Sequence, residues 1–414
     1  MPPPSEQLVT KHGRGLVPRR YGIWLGGVTL SLLGSQMMAF GMTWAAAAWG
    51  GAFAGVVLTA INLPRVMLLL FGGALADRVG AWRVMIVSDF AMAVAALVLG
   101  GTVLLLGVQP YLLVAVALII GVVDAFYLPS SGSMPRRLVA GESLARAMSA
   151  RQVAGQFAMF AGPPAGGLLV AVAGLASVAV VNAGTYLVMA VILVGLRPRA
   201  TAVPASTPAG GDVRSVVDGL RVAWSDPVLR LALGLIAATA AFLLPVSGLL
   251  IPLLATQRRW DADLGGVLAG TVALGVVAVA VTVTAAGAFR RPGLAAAGGL
   301  AVAAGGVLAL AVAPGTAAAI TAAAVVGVGS GLFTAHVGPL ILGGAPSTHL
   351  ARIQSVLVLA QSLPLLLTNN ALGAVSDLFD ADAALVVCAA ALLVAAASGA
   401  CSPALRTATL SITS

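Results

Sequence analysis

The stretch Gly72–Arg83, GGALADRVGAWR, is a polar interruption in an otherwise apolar chain. It packs one acid, two arginines and three glycines into twelve residues. A helix needs about 20 mostly apolar residues to cross the hydrocarbon core of a bilayer, and the runs on both sides reach that length. The stretch therefore reads as a tight hairpin joining two membrane spans, with its charges held at one bilayer surface.

Composition carries that reading to the whole chain. Of 414 residues, 60% are hydrophobic and 8% charged, and the mean hydropathy is +1.06. A soluble domain carries about 25% charged residues. A water-soluble globule is excluded, and an all-α membrane protein is expected. Splitting at charges, prolines and glycine clusters yields twelve spans: 22–46, 52–76, 83–106, 110–130, 152–173, 176–196, 229–255, 264–287, 293–313, 316–338, 352–375 and 383–402. Only Pro314 and Gly315 separate the ninth from the tenth. The first apolar run is too long for the core of a signal peptide and no cleavage site is evident, so it reads as a span. Cys388 and Cys401 both fall in the last span, about 20 Å apart on one helix, and read as small core residues that cannot pair.

The arginines set the orientation. With the N-terminus inside, nineteen of the 22 basic residues fall in inside segments; Arg258 and Arg259 fall outside, and Arg65 lies within the second span. Cytoplasmic loops carry such an excess, so both termini are expected in the cytoplasm. Membrane orientation thereby accounts for the net charge of +9, and nucleic acid is not expected as a partner. Lys11 is the only lysine, and glycine, alanine and valine are abundant, which has the cast of a high-GC bacterial genome. A multi-pass protein of the bacterial cytoplasmic membrane is expected.

Residues 197–214 are rich in Pro, Ala, Ser and Gly and read as a flexible linker. Beyond it Val216, Val217, Leu220, Ala223 and Trp224 share one helical face, as in a short helix on the membrane surface. Asp226-Pro227 offers an N-cap and a first-turn proline for the seventh span. The expected organisation is a tail (1–21), a six-helix bundle (22–196), a linker (197–228), a second six-helix bundle (229–402) and a tail (403–414). Matched halves of this kind hold a substrate site at their interface near the mid-membrane.

Within this frame, Gly73-x-Leu75-Ala76-Asp77-Arg78-x-Gly80-x-x-Arg83 resembles the signature loop of the major facilitator superfamily, in its usual place after the second span. Ala81 and Trp82 stand where that family often has Arg or Lys. After the fourth span, in a segment read as a loop, Phe126, Pro129, Pro135, Leu138, Val139, Glu142, Leu144 and Ala147 are similar to the subfamily of bacterial macrolide and siderophore exporters. Gly162-Pro163-Pro164-Ala165-Gly166-Gly167 resembles the core of the family's antiporter motif, with Ala158 in place of an upstream glycine. The resemblance implies the major facilitator fold, twelve transmembrane helices in two six-helix bundles that rock about a central site. In it Gly73, Asp77, Arg78, Gly80 and Arg83 form a cytoplasmic gate, with Asp77 facing the positive N-terminal end of the eleventh span. Gly162, Pro163, Gly166 and Gly167 form an inter-bundle hinge.

Charge inside a span is expensive and is by default a functional hypothesis. Arg65, following Asn62 and Pro64, reads as a fixed charge that lines the cavity or tunes a carboxylate, or as half of a structural ion pair. Asp89, two turns into the third span, is a candidate proton carrier or a member of the network around Asp77 and Arg83. Asp124 is a candidate proton carrier or the salt-bridge partner of Arg151 or Arg146. His336 is the other titratable candidate, or a hydrogen-bonded core residue. Gln36, Asn62, Gln361, Asn369 and Asn370 are uncharged polar candidates for the cavity, or for hydrogen bonds between helices. The Gly298-Gly299 and Gly305-Gly306 pairs read as a packing face on the ninth span.

No GxxxxGK[ST] phosphate loop, metal-ligand cluster or nucleophile–base pair is evident, so an enzyme or nucleotide-driven pump is not expected, nor any cofactor. Together these features point to a monomeric secondary active exporter of a small apolar or amphipathic, drug-like molecule, coupled to inward proton movement. A proton-independent facilitator or importer of a neutral nutrient shares every architectural feature.

Overall fold

The structure is a computed structural model in which residues 18–139, 143–196, 220–221, 224–287, 289–344 and 350–407 are described. Among these, side chains are described except at 69–77, 342–344, 350–352, 354, 355 and 407. The first four helices are α1 (Arg19–Ala47), α2 (Gly51–Val79), α3 (Ala81–Leu106) and α4 (Pro110–Leu138). A helical run of 53 residues, Ser143–Gly195, follows. Unbroken, it would be about 80 Å long, far more than the roughly 30 Å of the hydrocarbon core. It breaks at Gly174, where φ is 73° and ψ 178°, a backbone shape that favours glycine. The two parts are α5 (143–173) and α6 (175–195).

In the second half, α7 (Pro227–Phe242), a π turn (Val246–Leu250) and α8 (Ile251–Gln257) make one crossing. Then come α9 (Ala262–Ala286), α10 (Pro292–Ala311), α11 (Thr316–Gly344), α12 (Leu350–Leu378), α13 (Ala381–Cys401) and a short α14 (Pro403–Thr407). The eleven membrane-length stretches among the described residues become twelve crossings once the break at Gly174 is counted.

Local chemistry explains several boundaries. Asp226 Oδ1 accepts from the backbone N–H of Val228 (2.7 Å) and Leu229 (3.2 Å), so the expected N-cap forms ahead of Pro227. Pro314 and Gly315 do separate α10 from α11. The segment 126–150 departs from the loop expected there. α4 runs through Pro129 and Pro135 to Leu138, and the chain is helical again from Ser143. Proline weakens a helix interior by removing a donor, but Met134 is fully buried with Trp24, Met85 and Met189, and tertiary packing prevails. Of the expected surface helix, 220–221 and 224–225 are helical and the rest lies outside the described residues, as do most of the linker and the ends of both tails.

Small residues let the helices approach closely. A Cβ on Gly299 would lie 2.5 Å from Phe333 N of α11, and one on Gly306 would lie 2.6 Å from Val326 N. Gly298 and Gly305 meet nothing within 4 Å, so one glycine of each pair makes the packing face. Cys388 is buried as expected, whereas Cys401 is exposed near the end of α13, because its position falls on the outward side of that helix.

The ends of the molecule differ. At the arginine-rich end lie Arg78, Arg83, Arg136, Arg137, Arg290 and Arg291. At the opposite end Arg258 is spoken for: it donates to Ala313 O (2.7 Å), pairs with Asp382 (2.8 Å) and stands 5.2 Å over the Trp260 ring. This off-side arginine thus ties α8 to α10 and α13.

Candidate functional site

A cavity of about 390 Å³ lies inside the first half, between mid-membrane and the arginine-rich end. Ser31, Ser35 and Gln36 of α1, Arg65 of α2, Asp89 and Met92 of α3, Asp124 and Tyr127 of α4, Gln152 and Gln156 of α5, and Tyr186 of α6 line it. All three charged candidates from the sequence therefore meet in one place.

The Arg65–Asp124 pair is set by a backbone contact one turn away. α2 and α4 run the same way, and Gly121 sits against the α2 backbone, where a Cβ would come within 2.2 Å of Ile61 O. One turn on, Arg65 and Asp124 face each other, and the Arg65 guanidinium donates to Asp124 Oδ2. The pair is part-buried, with side chains 32% and 21% exposed. This corrects the expectation that Asp124 pairs with Arg151 or Arg146. Arg151 instead donates to Ser131 Oγ at 3.1 Å, because α5 places it against the lower turns of α4.

Asp89 is different. It is 1% exposed, and neither carboxylate oxygen has a hydrogen-bond partner among the described residues. Arg83 of the expected charge network is exposed, two turns away along α3, on a different face. Nearby, Ser35 Oγ and Tyr186 OH are 2.8 Å apart and satisfy each other. Gln36 both lines the cavity and abuts α5, since a Cβ on Gly162 would fall 2.3 Å from Gln36 Cβ.

The other polar candidates lie elsewhere. Asn62 Nδ2 donates to Leu58 O of its own helix at 2.9 Å. Gln361 is on an exposed face of α12 and does not line this cavity. Asn369 is buried against α2, its backbone carbonyl facing Gly55. His336 is fully buried beyond the cavity. Its Nε2 accepts from Phe289 N–H (3.1 Å), so Nδ1 carries the proton and donates to Leu332 O (2.8 Å). The ring stacks on Phe289 at 5.2 Å. Nε2 thus fastens the hairpin between α9 and α10 to α11, while Nδ1 fixes the ring against its own helix. His336→Leu should destabilise the protein by about 1–2 kcal/mol, seen as earlier thermal unfolding in detergent, with transport per folded molecule unchanged.

At the expected gate, Gly80 alone separates α2 from α3, with φ 96°, which accounts for glycine there. Arg78 and Arg83 are exposed. Gly73 and Asp77 lie in α2, but their side-chain surroundings fall outside the described residues.

The contacts joining the halves lie toward the opposite end. α5 crosses α9 there: a Cβ on Gly167 would meet Ala262 O at 2.3 Å, one on Gly266 would meet Pro163 O at 2.4 Å, and one on Gly270 would meet Pro164 Cγ at 2.4 Å. Gly162 and Gly166 instead face Gln36 and Met37 of α1. The expected hinge motif therefore has two faces, one within its own half and one across. α2 meets α12 in the same manner, Gly51 against Gly373 and Gly55 against Asn369. Asn370 Nδ2 donates to Thr59 Oγ1 at 2.7 Å. Asp377, near the end of α12, accepts from the N–H groups of Gly51 and Ala52 (2.8 Å for the latter) and so caps α2. The sequence singles out Asn369 and Asn370, but the glycines of α2, α9 and α12 and the Asp377 cap were missed, although Gly51-x-x-x-Gly55 and Gly266-x-x-x-Gly270 carry the spacing that marks close helix crossings.

Comparison with known proteins accords with this geometry. Residues 24–369 match the family model for the Major Facilitator Superfamily. The multidrug efflux pump Tap of Mycolicibacterium fortuitum is 29% identical over 223 residues. That alignment spans 52% of this chain and 54% of Tap, about half the length of either. Among solved structures, a bacterial homologue of the iron transporter ferroportin in an inward-facing state superposes with a TM-score of 0.71 over 92% of this chain and 98% of that one, at 17% identity. An auto-inhibited peptide transporter of the POT family also gives 0.71, over 92% and 96%, at 14% identity. At such identities these two likenesses speak to the fold alone.

Proposed function

Because the chain belongs to the major facilitator superfamily, a family of transporters and not of enzymes, we propose that it exports a small amphipathic molecule across the bacterial cytoplasmic membrane by proton antiport. The distribution of arginines supports an arginine-rich end in the cytoplasm. The halves are joined toward the other end, and the cavity lies on the arginine-rich side. On this reading the cavity takes its cargo from the cytoplasm, as an exporter must. The partial similarity to Tap supports a drug-like cargo.

The observation that carries proton coupling is Asp89. Asp124 has a cation beside it, whereas Asp89 is a buried carboxylate with no partner on either oxygen among the described residues. An isolated ion so placed is costly, and a proton or a cation relieves that cost. Exchange of one for the other couples two fluxes through a single group. In liposomes with an imposed pH gradient, Asp89→Asn should lower gradient-driven drug flux at least tenfold and leave gradient-independent leak unchanged. Equal wild-type flux with and without the gradient would favour a facilitator.

A further inference from the structure

We infer that Asp377 is a latch between the halves: its carboxylate holds the start of α2 from across the interface while the end opposite the arginines is shut, and lets go when that end opens. The inference rests on transport by two moving halves, and not on export or proton coupling.

The first N–H groups of a helix have no partner within it. α2 begins at Gly51, directly after Gly50, which has no side chain to cap them. The other half supplies the cap. Asp377 Oδ1 accepts from Gly51 N–H, and Oδ2 accepts from Ala52 N–H at 2.8 Å. Both oxygens of the carboxylate are thereby engaged. The approach depends on glycine. A Cβ on Gly50, whose φ is 102°, would stand 3.1 Å from Asp377 Oδ1, and one on Gly51 would stand 2.5 Å from Gly373 O. Asn370, Gly373 and Asp377 share one face of α12 at helical spacing, and all three meet α2.

Asp377 is badly placed for α12 itself. It lies in the last turn of that helix, where the dipole presents its negative end and favours cations. The positive end of α2 offsets this, but only while the halves touch. The next acids along the chain find partners within their own half: Asp380 accepts from Ala383 N–H at 2.6 Å, and Asp382 pairs with Arg258 at 2.8 Å. Asp377 is directed across. Glycine packed on backbone, as at Gly266 and Gly373, is close but undirected. The carboxylate adds directed, charge-assisted hydrogen bonds, and a contact made in one state and not the other tilts the balance between them. Asp377 is also exposed. When the halves part, water takes over both oxygens and no buried charge is stranded, so the latch can be remade in every cycle.

The test is double electron–electron resonance on the purified full-length protein in nanodiscs, without cargo or gradient. Spin labels go on Leu106→Cys and Val312→Cys, exposed positions at the ends of α3 and α10, in a chain carrying Cys388→Ala and Cys401→Ala. A second pair, Leu106→Cys with Val172→Cys, lies within the first half and reports general loosening. Asp377→Ala should raise the ratio of long to short distances between the halves about fivefold, the ordinary effect of losing one helix cap, and leave the internal pair unchanged. Asp377→Asn keeps an acceptor oxygen without the charge and should give a smaller rise. An unchanged ratio in Asp377→Ala, or a broadening of the internal pair as large as that between the halves, would overturn the inference. The two readings fail separately: an unmoved ratio leaves proton antiport standing, and gradient-independent flux leaves the latch standing.

Discussion

Gly266→Leu is expected to abolish transport, by at least tenfold, in a protein that still folds. A Cβ at this position would stand 2.4 Å from Pro163 O and 3.0 Å from Pro163 C, and both are backbone atoms of α5. Backbone cannot swing aside as a flexible side chain can. The crossing must open instead, and α9 must part from α5 at the end where the halves meet. The clash lies between the halves, so the packing inside each is spared. Spin labels at Val172 and Arg259 should report a longer distance in the variant. Gly298→Leu is the control, because a Cβ there meets nothing within 4 Å, and transport should persist. Wild-type transport by Gly266→Leu would mean that this closure is not an obligatory stage of the cycle.

The second large effect concerns Arg65. Removing one partner of a buried ion pair strands the other charge and costs about 3–5 kcal/mol. The pair here is part-buried beside a cavity, so the lower end, about 3 kcal/mol, is expected for Arg65→Ala. Replacing both groups by apolar residues of similar volume, Arg65→Met with Asp124→Leu, should recover most of that loss, because no charge is then left alone. Unfolding in detergent should therefore rank the single variant well below both the wild type and the double variant. Equal losses from single and double variants would show that shape, rather than charge, holds this part of α2 against α4. Cargo flux should fall most in the single variant, which leaves Asp124 as a second uncompensated acid beside Asp89, and less in the double variant, whose net charge there is unchanged.

How much of this was legible in the sequence follows from the range of the forces involved. The span count was, because bilayer thickness acts on each apolar run separately and leaves its mark on local composition. The N-cap at Asp226 was, because capping spans only a few residues. Arg65, Asp89 and Asp124 stood out because charge is rare inside a membrane. Their pairing did not. Whether Asp124 meets Arg65 or Arg151 depends on Gly121 touching Ile61, a contact between helices that no local pattern encodes. His336 had two readings, a titratable cavity residue or a hydrogen-bonded core residue, and its two partners, Phe289 and Leu332, fit the second. The tyrosines of the cavity wall escaped notice because aromatic residues are ordinary in apolar spans and only their convergence sets them apart.

The single-glycine corner at Gly174 has a mechanical consequence. Most neighbouring spans are joined by several residues, and such a tether lets one helix slip lengthwise past the next. α5 and α6 have no slack of that kind. α5 cannot move like a piston while α6 stays still, so any shift at the prolines that bear on α9 is geared directly to α6. That helix carries Tyr186, whose hydroxyl holds Ser35 across the cavity. Parting the halves at one end therefore tugs on the cavity wall at the other, with no signal relay needed beyond a stiff elbow.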